Sequence, residues 1–265
     1  MSFFGKSFIF DGKSSEEYNL YISSSDGENA RLTGAGDIEL ITQKVFRRNS
    51  PYLLGVTPSP VLQFDIEITS PLEIMADEMG YIMSWIFGQT EYKKLQIVQE
   101  DMQNFYYNCF ITSPKVIKVG NKTIGFSGTV ICDKPFGTMY PKTLTKTYST
   151  FPVTTGNTFT FNNISQNNFY EYPTVVFTLG GGGTTATITN NTDGGRQFIF
   201  TGLTAGETIT VDNDLCIITS SLTLNRLSKF NKNWFRLLKG SNSITITGYP
   251  ASVTFTYSPL IKIGG

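Results

Sequence analysis

The side chains best suited to bond-making chemistry are the carboxylates Asp65, Glu67, Glu73, Asp77 and Glu78, which cluster along one stretch of chain. Two carboxylates at a set separation are the machinery of glycoside hydrolysis, one donating a proton and the other acting as base or nucleophile. In VLQFDIEIT, however, strand alternation sends Asp65 and Glu67 to one face and Phe64, Ile66 and Ile68 to the other. Solvated charge on the wet face of a strand accounts for both acids. Glu73 sits in Ser70-Pro71-Leu72-Glu73, which joins a capping serine, a proline at the first helical position and a glutamate able to reach back to the Ser70 amide. No pair is marked out at glycosidase separation, so no catalytic residue is assigned and the protein is read as a non-enzyme.

Phosphate chemistry is the second candidate. GKS occurs at Gly5-Lys6-Ser7 and again at Gly12-Lys13-Ser14, but a Walker A loop needs a glycine five positions before its Gly-Lys, and Ser7 stands there in the second copy. Four consecutive glycines, 180–183 in FTLGGGGTTAT, raise the same possibility. A phosphate-binding glycine loop works by opening a helix whose amides meet the anion, and here a threonine-rich strand follows. The run reads instead as a flexible hairpin tip. The chain contains no histidine, which removes the usual base of a serine or cysteine nucleophile and the commonest zinc ligand. No cofactor and no metal are expected.

With 21 basic and 21 acidic residues the chain is formally neutral, and no long-range field draws it to nucleic acid or an anionic membrane. No stretch approaches the roughly 20 apolar residues of a membrane span, and MSFFGKSFIFDGKSSEE lacks the apolar core of a signal peptide. Synthesis in a cytoplasm and a soluble product are the expectation. Cys109, Cys132 and Cys216 have no CxxC spacing, and the first two lie in strand-like runs, where a free thiol acts as a small buried apolar group.

The elements that carry these residues are mostly strands. One helix is predicted, about 71–87, where Leu72, Met75, Met79, Ile82, Met83 and Ile86 recur at three- and four-residue spacing before Gly88. Gly120-Asn121 links two alternating runs as a hairpin signal. Residues 41–60, ITQKVFRRNSPYLLGVTPSP, combine Arg47-Arg48 with Tyr52, Leu53 and Leu54 and two prolines, which suits a projecting loop or hairpin meeting another subunit. Composition then changes: residues 1–142 hold 29 charged side chains and 9 threonines, and 143–265 hold 13 and 25. A boundary near Pro141 follows, giving domains 1–141 and 142–265. Short strands such as TATIT, NSITITG and SVTFTYS, separated by Gly, Asn and Asp, predict an antiparallel sandwich in the second half with no long helix.

FIFDGKSSEEYNLYI, QKVFRRNSPYLLG and FNKNWFRLLKGSNSITITGYPASVTFTY, in this order, resemble the distal tail protein family, Dit, of long-tailed phages infecting Gram-positive bacteria. The resemblance implies a mainly β protein: an N-terminal split-barrel-like β domain with one α-helix, and a C-terminal galectin-like β-sandwich. It implies a hexameric ring at the virion tail tip, a hub joining the tail tube to the baseplate and adsorption apparatus. Tail tube protein, a tail-associated (Tal-like) hub protein, tape-measure protein and receptor-binding proteins are the implied partners. Residues 41–58 match the family's extended belt hairpin, so Phe46, Arg47, Arg48, Tyr52, Leu53 and Leu54 become interface candidates. Gly240 and Asn242 correspond to a turn, with Ile244 and Ile246 inward. A second reading is a carbohydrate-binding adsorption module, in which Trp234, Tyr170 or Tyr172 stacks on host cell-wall saccharide; Trp234 is equally suited to a core.

Overall fold

The computed structural model describes residues 5–23, 38–58, 61–154 and 157–262. The chain divides into two units, Met1–Met139 with Ile261–Gly265, and Tyr140–Leu260. The first contains β1 (Phe8–Phe10), β2 (Lys13–Ser14), β3 (Tyr21–Ser23), β4 (Ile38–Gln43), β5 (Tyr52–Pro58), β6 (Gln63–Thr69), α1 (Ala76–Phe87), β7 (Lys93–Ile97), β8 (Phe105–Val119), β9 (Lys122–Cys132) and β10 (Gly137–Met139). Seven strands order as β2-β1-β7-β8-β9-β6-β3, with β10 added on β8, while β4 and β5 pair apart from this sheet. One antiparallel bridge, Lys6 with Ile22, links the segment entering β1 to β3, so the sheet curls toward closure without completing a ladder.

Alternation explains how the sheet seals. Phe64, Ile66 and Ile68 of β6 are buried, and Asp65 is on the exposed side, where the Thr129 hydroxyl donates to its Oδ1 at 2.7 Å. β8 and β9 join through the two-residue turn Gly120-Asn121, with Gly120 at φ +61°, a conformation glycine adopts without steric cost. Helix α1 covers the core with Ile82, Trp85 and Ile86, while Met79 and Met83 are partly buried. Trp85 lies stacked 6.0 Å from Phe8 and donates from Nε1 to the Phe10 carbonyl at 2.9 Å, which satisfies its one polar atom inside the core.

The helix starts later than its sequence signal. Met75, not Ser70, is the residue before its first turn, and Leu72 and Met75 are exposed. The Ser70 amide donates to the Ile124 carbonyl and the Ile74 amide to that of Thr123, so 70–74 runs along the start of β9. Glu73 accordingly pairs with Lys122 at 3.6 Å instead of reaching back to Ser70, whose Oγ accepts from the Leu72 amide. Gly88 does end the helix, through close approach: a Cβ there would stand 2.5 Å from the Ser84 carbonyl oxygen.

The second unit is a two-sheet sandwich. It contains β11 (Lys142–Thr147), β12 (Thr158–Asn163), β13 (Thr174–Leu179), β14 (Ala186–Asn190), β15 (Arg196–Phe200), β16 (Thr208–Asp212), β17 (Ile217–Ser220), β18 (Gly240–Gly248) and β19 (Pro250–Tyr257). One sheet orders as β11-β19-β13-β16-β17 and the other as β12-β18-β14-β15. Val253, Phe255 and Tyr257 of β19 meet Phe161, Ile244 and Ile246 of the facing sheet in one core, with Phe161 and Phe255 edge to face at 5.8 Å. Ile261, the last residue of β20 (Leu260–Ile261), belongs to the first unit and packs on that unit's core.

The four glycines are not a hairpin tip. They connect β13 to β14, which lie in different sheets. A Cβ on Gly180 would stand 2.3 Å from the Phe151 ring and one on Gly183 2.2 Å from the Tyr249 ring. Two of the four are therefore covered by aromatic rings, and only Gly182 has a positive φ.

Polar pins close the sandwich. Glu207 is buried and held by Arg226 through Nε and Nη2, both at 2.7 Å, with further bonds from the Ser220 hydroxyl and the Thr204 amide. Burial alone would raise the Glu207 pKa, but these donors outweigh it and hold the carboxyl below its ordinary value. Asn242 accepts from the Leu238 amide and donates to the carbonyls of Leu238 and Gly240, fixing the turn into β18.

Candidate functional site

The interface candidates of the first unit all fall on one hairpin. β4 and β5 form a two-stranded ladder in which Leu40 opposes Val56, Ile41 opposes Gly55, Thr42 opposes Leu53 and Gln43 opposes Tyr52, with a bulge that leaves Leu54 unopposed. The sequence IELITQ explains why the ladder stands apart: Leu40 and Ile41 are adjacent, so neither face is purely polar. Leu40, Ile41, Tyr52, Leu53, Leu54 and Val56 are all exposed, Leu53 and Leu54 at 62% and 63%. Phe46, in the connecting segment, is 87% exposed.

The charges of this segment lie on its rings. Arg47 stands 5.3 Å from the Phe46 centroid and Arg48 4.2 Å from that of Tyr52. Arg47 takes a left-handed φ of +66°, and the Arg48 amide closes a turn on the Val45 carbonyl. A lone two-stranded hairpin is marginally stable in water, and an apolar ladder with both faces exposed lacks the packing that stabilises one. Aromatic and arginine side chains on one exposed element match the residues enriched at protein interface centres, and the leucines add apolar area around them. The sequence reading took in residues 41–60 and singled out Phe46, Arg47, Arg48, Tyr52, Leu53 and Leu54; it did not single out Ile41, Val45 or Val56 within that segment and left out Leu40, for which the adjacent apolar pair Leu40-Ile41 was the available signal.

The second unit brings Tyr172 and Trp234 together. Both line a cavity of about 330 Å³ with Arg196, Asn213, Asp214, Cys216 and Arg236. Trp234 packs edge to face on Phe230 at 4.9 Å and is partly buried, combining a core contact with an exposed rim. Arg196 donates from Nε to the Trp234 carbonyl at 3.3 Å, and its guanidinium has no carboxylate partner among the described residues. Tyr170 is not part of the lining. Its ring lies 3.8 Å from the Arg236 guanidinium, which Asp193 grips by two bonds of 2.7 and 3.0 Å. The two arginines were not singled out by sequence, because their partners lie far along the chain. In chemical terms the cavity is lined by two aromatic residues and two arginines, a combination suited to stacking and hydrogen bonding.

The carboxylates that opened the glycosidase question do not gather here: Asp65 and Glu67 lie along β6, while Glu73 pairs with Lys122.

No curated protein matches the chain significantly. Among solved structures, the chain is similar to the Dit (gp 19.1) protein of phage SPP1, described as a paradigm of the hub adsorption apparatus in Gram-positive infecting phages. The TM-score is 0.72 at 10% identity, covering 96% of this chain and 98% of that one. A chain of the phage p2 baseplate, in its activated conformation with strontium, matches with a TM-score of 0.51 at 9% identity, covering 95% and 98%. The fold is thus that of Dit proteins: mainly β, one helix, a curled sheet and a sandwich. Two family models, described as the phage tail protein N-terminal domain and the phage tail C-terminal domain, match residues 3–134 and 141–257. With both domain models matched in order along almost its whole length, the chain belongs to this family of phage tail proteins.

Proposed function

We propose that the chain is a structural, non-enzymatic protein of the virion tail tip, made in the host cytoplasm, that assembles into a hexameric ring joining the tail tube to the baseplate. In this reading residues 1–141 build the ring and residues 142–265 present a docking surface. The observation that carries it is the β4–β5 hairpin, whose leucines are exposed on a ladder with no strand partner beyond itself among the described residues. A ring closes through heterologous contacts, one patch of each subunit meeting a different patch of the next, and a projecting apolar hairpin is a suitable donor for such a contact. Phe46, Arg47, Arg48, Tyr52, Leu53 and Leu54 would supply its anchors. The description of SPP1 Dit as a hub supports the reading by analogy of fold. Tail tube, tape-measure, Tal-like hub and receptor-binding proteins are the proposed partners; nucleic acid and membrane are not.

Electron microscopy and light scattering of the purified protein test it. Six-fold rings are expected, together with their loss in Tyr52→Asp while both units stay folded. Monomers at all concentrations would overturn the ring. Rings unchanged by Tyr52→Asp would remove Tyr52 from the contact.

A second reading is favoured by one observation, the convergence of Tyr172 and Trp234 on a single cavity. It makes the second unit a carbohydrate-binding module for host wall saccharide. Tryptophan fluorescence titrated with host wall fragments should then shift in the parent and not in Tyr172→Ala; an unresponsive parent sinks it.

A further inference from the structure

Cys109 on β8 and Cys132 on β9 are direct partners across an antiparallel ladder. Both are free, and both are fully buried in the first unit's core. The type of pair follows from the neighbouring hydrogen bonds. The Asp133 amide donates to the Asn108 carbonyl at 2.9 Å, so Asn108 and Asp133 form a hydrogen-bonded pair. Antiparallel pairs alternate, which makes Cys109 and Cys132 a non-hydrogen-bonded pair. The Cys132 amide agrees, since it points away from β8 and donates to the Leu62 carbonyl at 2.9 Å.

Such pairs hold their Cα atoms about 4.5 Å apart with both side chains on one face, the closer of the two antiparallel geometries. A disulfide spans Cα separations of roughly 4.4–6.8 Å, so the backbone already stands within its reach. Cys216, the third cysteine, is exposed and in the other unit, and offers neither thiol a partner.

We propose that Cys109 and Cys132 are a covalent modification site: a latent cross-strand disulfide, reduced in the cell and closed by a small-molecule disulfide such as oxidised glutathione. The first cysteine gives up its proton and its thiolate attacks the oxidant, forming a mixed disulfide and releasing one glutathione, which takes up that proton. The second cysteine attacks the protein sulfur of the mixed disulfide, the protein S–S bond forms, and a second glutathione leaves with the second proton. Two protein thiols are oxidised by two electrons, and one oxidant molecule is reduced to two thiols.

Burial pushes the Cys132 thiol up to about 12 and that of Cys109 well above its ordinary value. Closure is therefore slow in the folded chain and waits on opening of the end of β9, where Cys132 is the last residue. The cross-link ties the two longest strands of the first sheet. Its formation suits a protein that folds in a reducing compartment and acts outside it, but the geometry stands without the tail-tip reading and would survive that reading's failure.

The test uses the full chain carrying Cys216→Ser, incubated with oxidised glutathione at mildly elevated temperature, then denatured, alkylated and weighed. The expected product is two hydrogens lighter than the reduced chain, takes up no alkylating agent, and reverts with dithiothreitol. Its first unit should melt on the order of 5–10 °C higher than the reduced form. Adding Cys109→Ser should abolish the mass loss and leave an alkylatable Cys132 or its glutathione adduct. Two thiols still alkylatable after prolonged incubation, or a stable glutathione adduct on the parent without closure, would overturn the proposal.

Discussion

At the tip of the β4–β5 hairpin the Arg47 guanidinium lies 5.3 Å from the Phe46 ring, and in the second unit that of Arg236 lies 3.8 Å from Tyr170. The first pair joins chain neighbours. The second joins residues distant in sequence, and Asp193 clamps the arginine by two further bonds. Phe46 is 87% exposed and Tyr170 only 42%. A cation–ring pair gripped from distant segments of the chain is part of the fold, whereas one between neighbours leaves an element's shape to whatever packs on it. The same contrast runs through the molecule: the second unit is closed by pins between residues far apart in sequence, such as Asp193 with Arg236 and Asn190 with Asn242, and the hairpin, among the described residues, by its own ladder.

The largest effect that would sharpen this contrast is expected at the Glu207–Arg226 pin. Arg226→Ala leaves the buried carboxylate with only the Ser220 hydroxyl and Thr204 amide, and should cost about 3–5 kcal/mol of second-unit stability by denaturant unfolding. Replacing both partners together, Glu207→Gln with Arg226→Met, should recover most of the loss, because no unpaired charge remains buried. A single-variant loss within about 0.5 kcal/mol, the range of ordinary surface substitutions, would show that the pin does not hold the sandwich.

The two units should also fail at opposite ends of the pH scale. Burial raises the Cys132 pKa from 9.0 to about 12. Between those values the unfolded chain has lost a proton that the folded chain keeps, so first-unit stability falls as pH rises through that window, by a few kcal/mol. Cys132→Ala should flatten this alkaline slope. Glu207 has the opposite sign: its folded pKa lies below the ordinary value, so its contribution is full above the unfolded pKa and is lost as pH falls through the folded one. Glu207→Gln should flatten the acid slope, and melting curves across pH read both.

A smaller effect is expected at the glycine run. Gly183→Ala drives a Cβ into the Tyr249 ring and should cost about 1–3 kcal/mol, whereas Gly181→Ala meets nothing within 4 Å and should be near neutral. Equal tolerance of both would restore the mobile loop that the sequence suggests.

That glycine run shows where legibility ended. Alternation located the sandwich strands, because Val253, Phe255 and Tyr257 obey a period of two with one face buried. It could not tell that β13 and β14 belong to different sheets, since Phe151 and Tyr249, the rings over Gly180 and Gly183, are placed by distant contacts. The Ser70 box failed as a helix start for the same reason: its amide is taken by Ile124 of β9, and a tertiary partner overrode a local signal. Trp85, outside the aliphatic stripe, became the helix's central contact because Phe8, Phe10 and Tyr18 surround it in space only. The Arg226 and Arg236 pins were invisible for want of any local pattern. The hairpin's position was readable, because Arg47-Arg48 beside Tyr52, Leu53 and Leu54 has no place in a buried strand.

The smallest stability effect should come from that hairpin. Leu53 and Leu54 bury little apolar area within their own chain, so Leu53→Asp with Leu54→Asp removes little hydrophobic stabilisation and should change the unfolding free energy by no more than about 0.5 kcal/mol. If the hairpin meets a neighbouring copy, the same two carboxylates would be desolvated in the contact without cationic partners, and assembly should weaken by at least about tenfold at equal concentration. Stability and assembly thus separate on the hairpin, while Arg226→Ala should reduce stability first. Sedimentation and unfolding of the same samples compare them directly. A double substitution that destabilised the monomer as strongly as Arg226→Ala would make the hairpin part of its own core, and the contrast between the two regions would collapse.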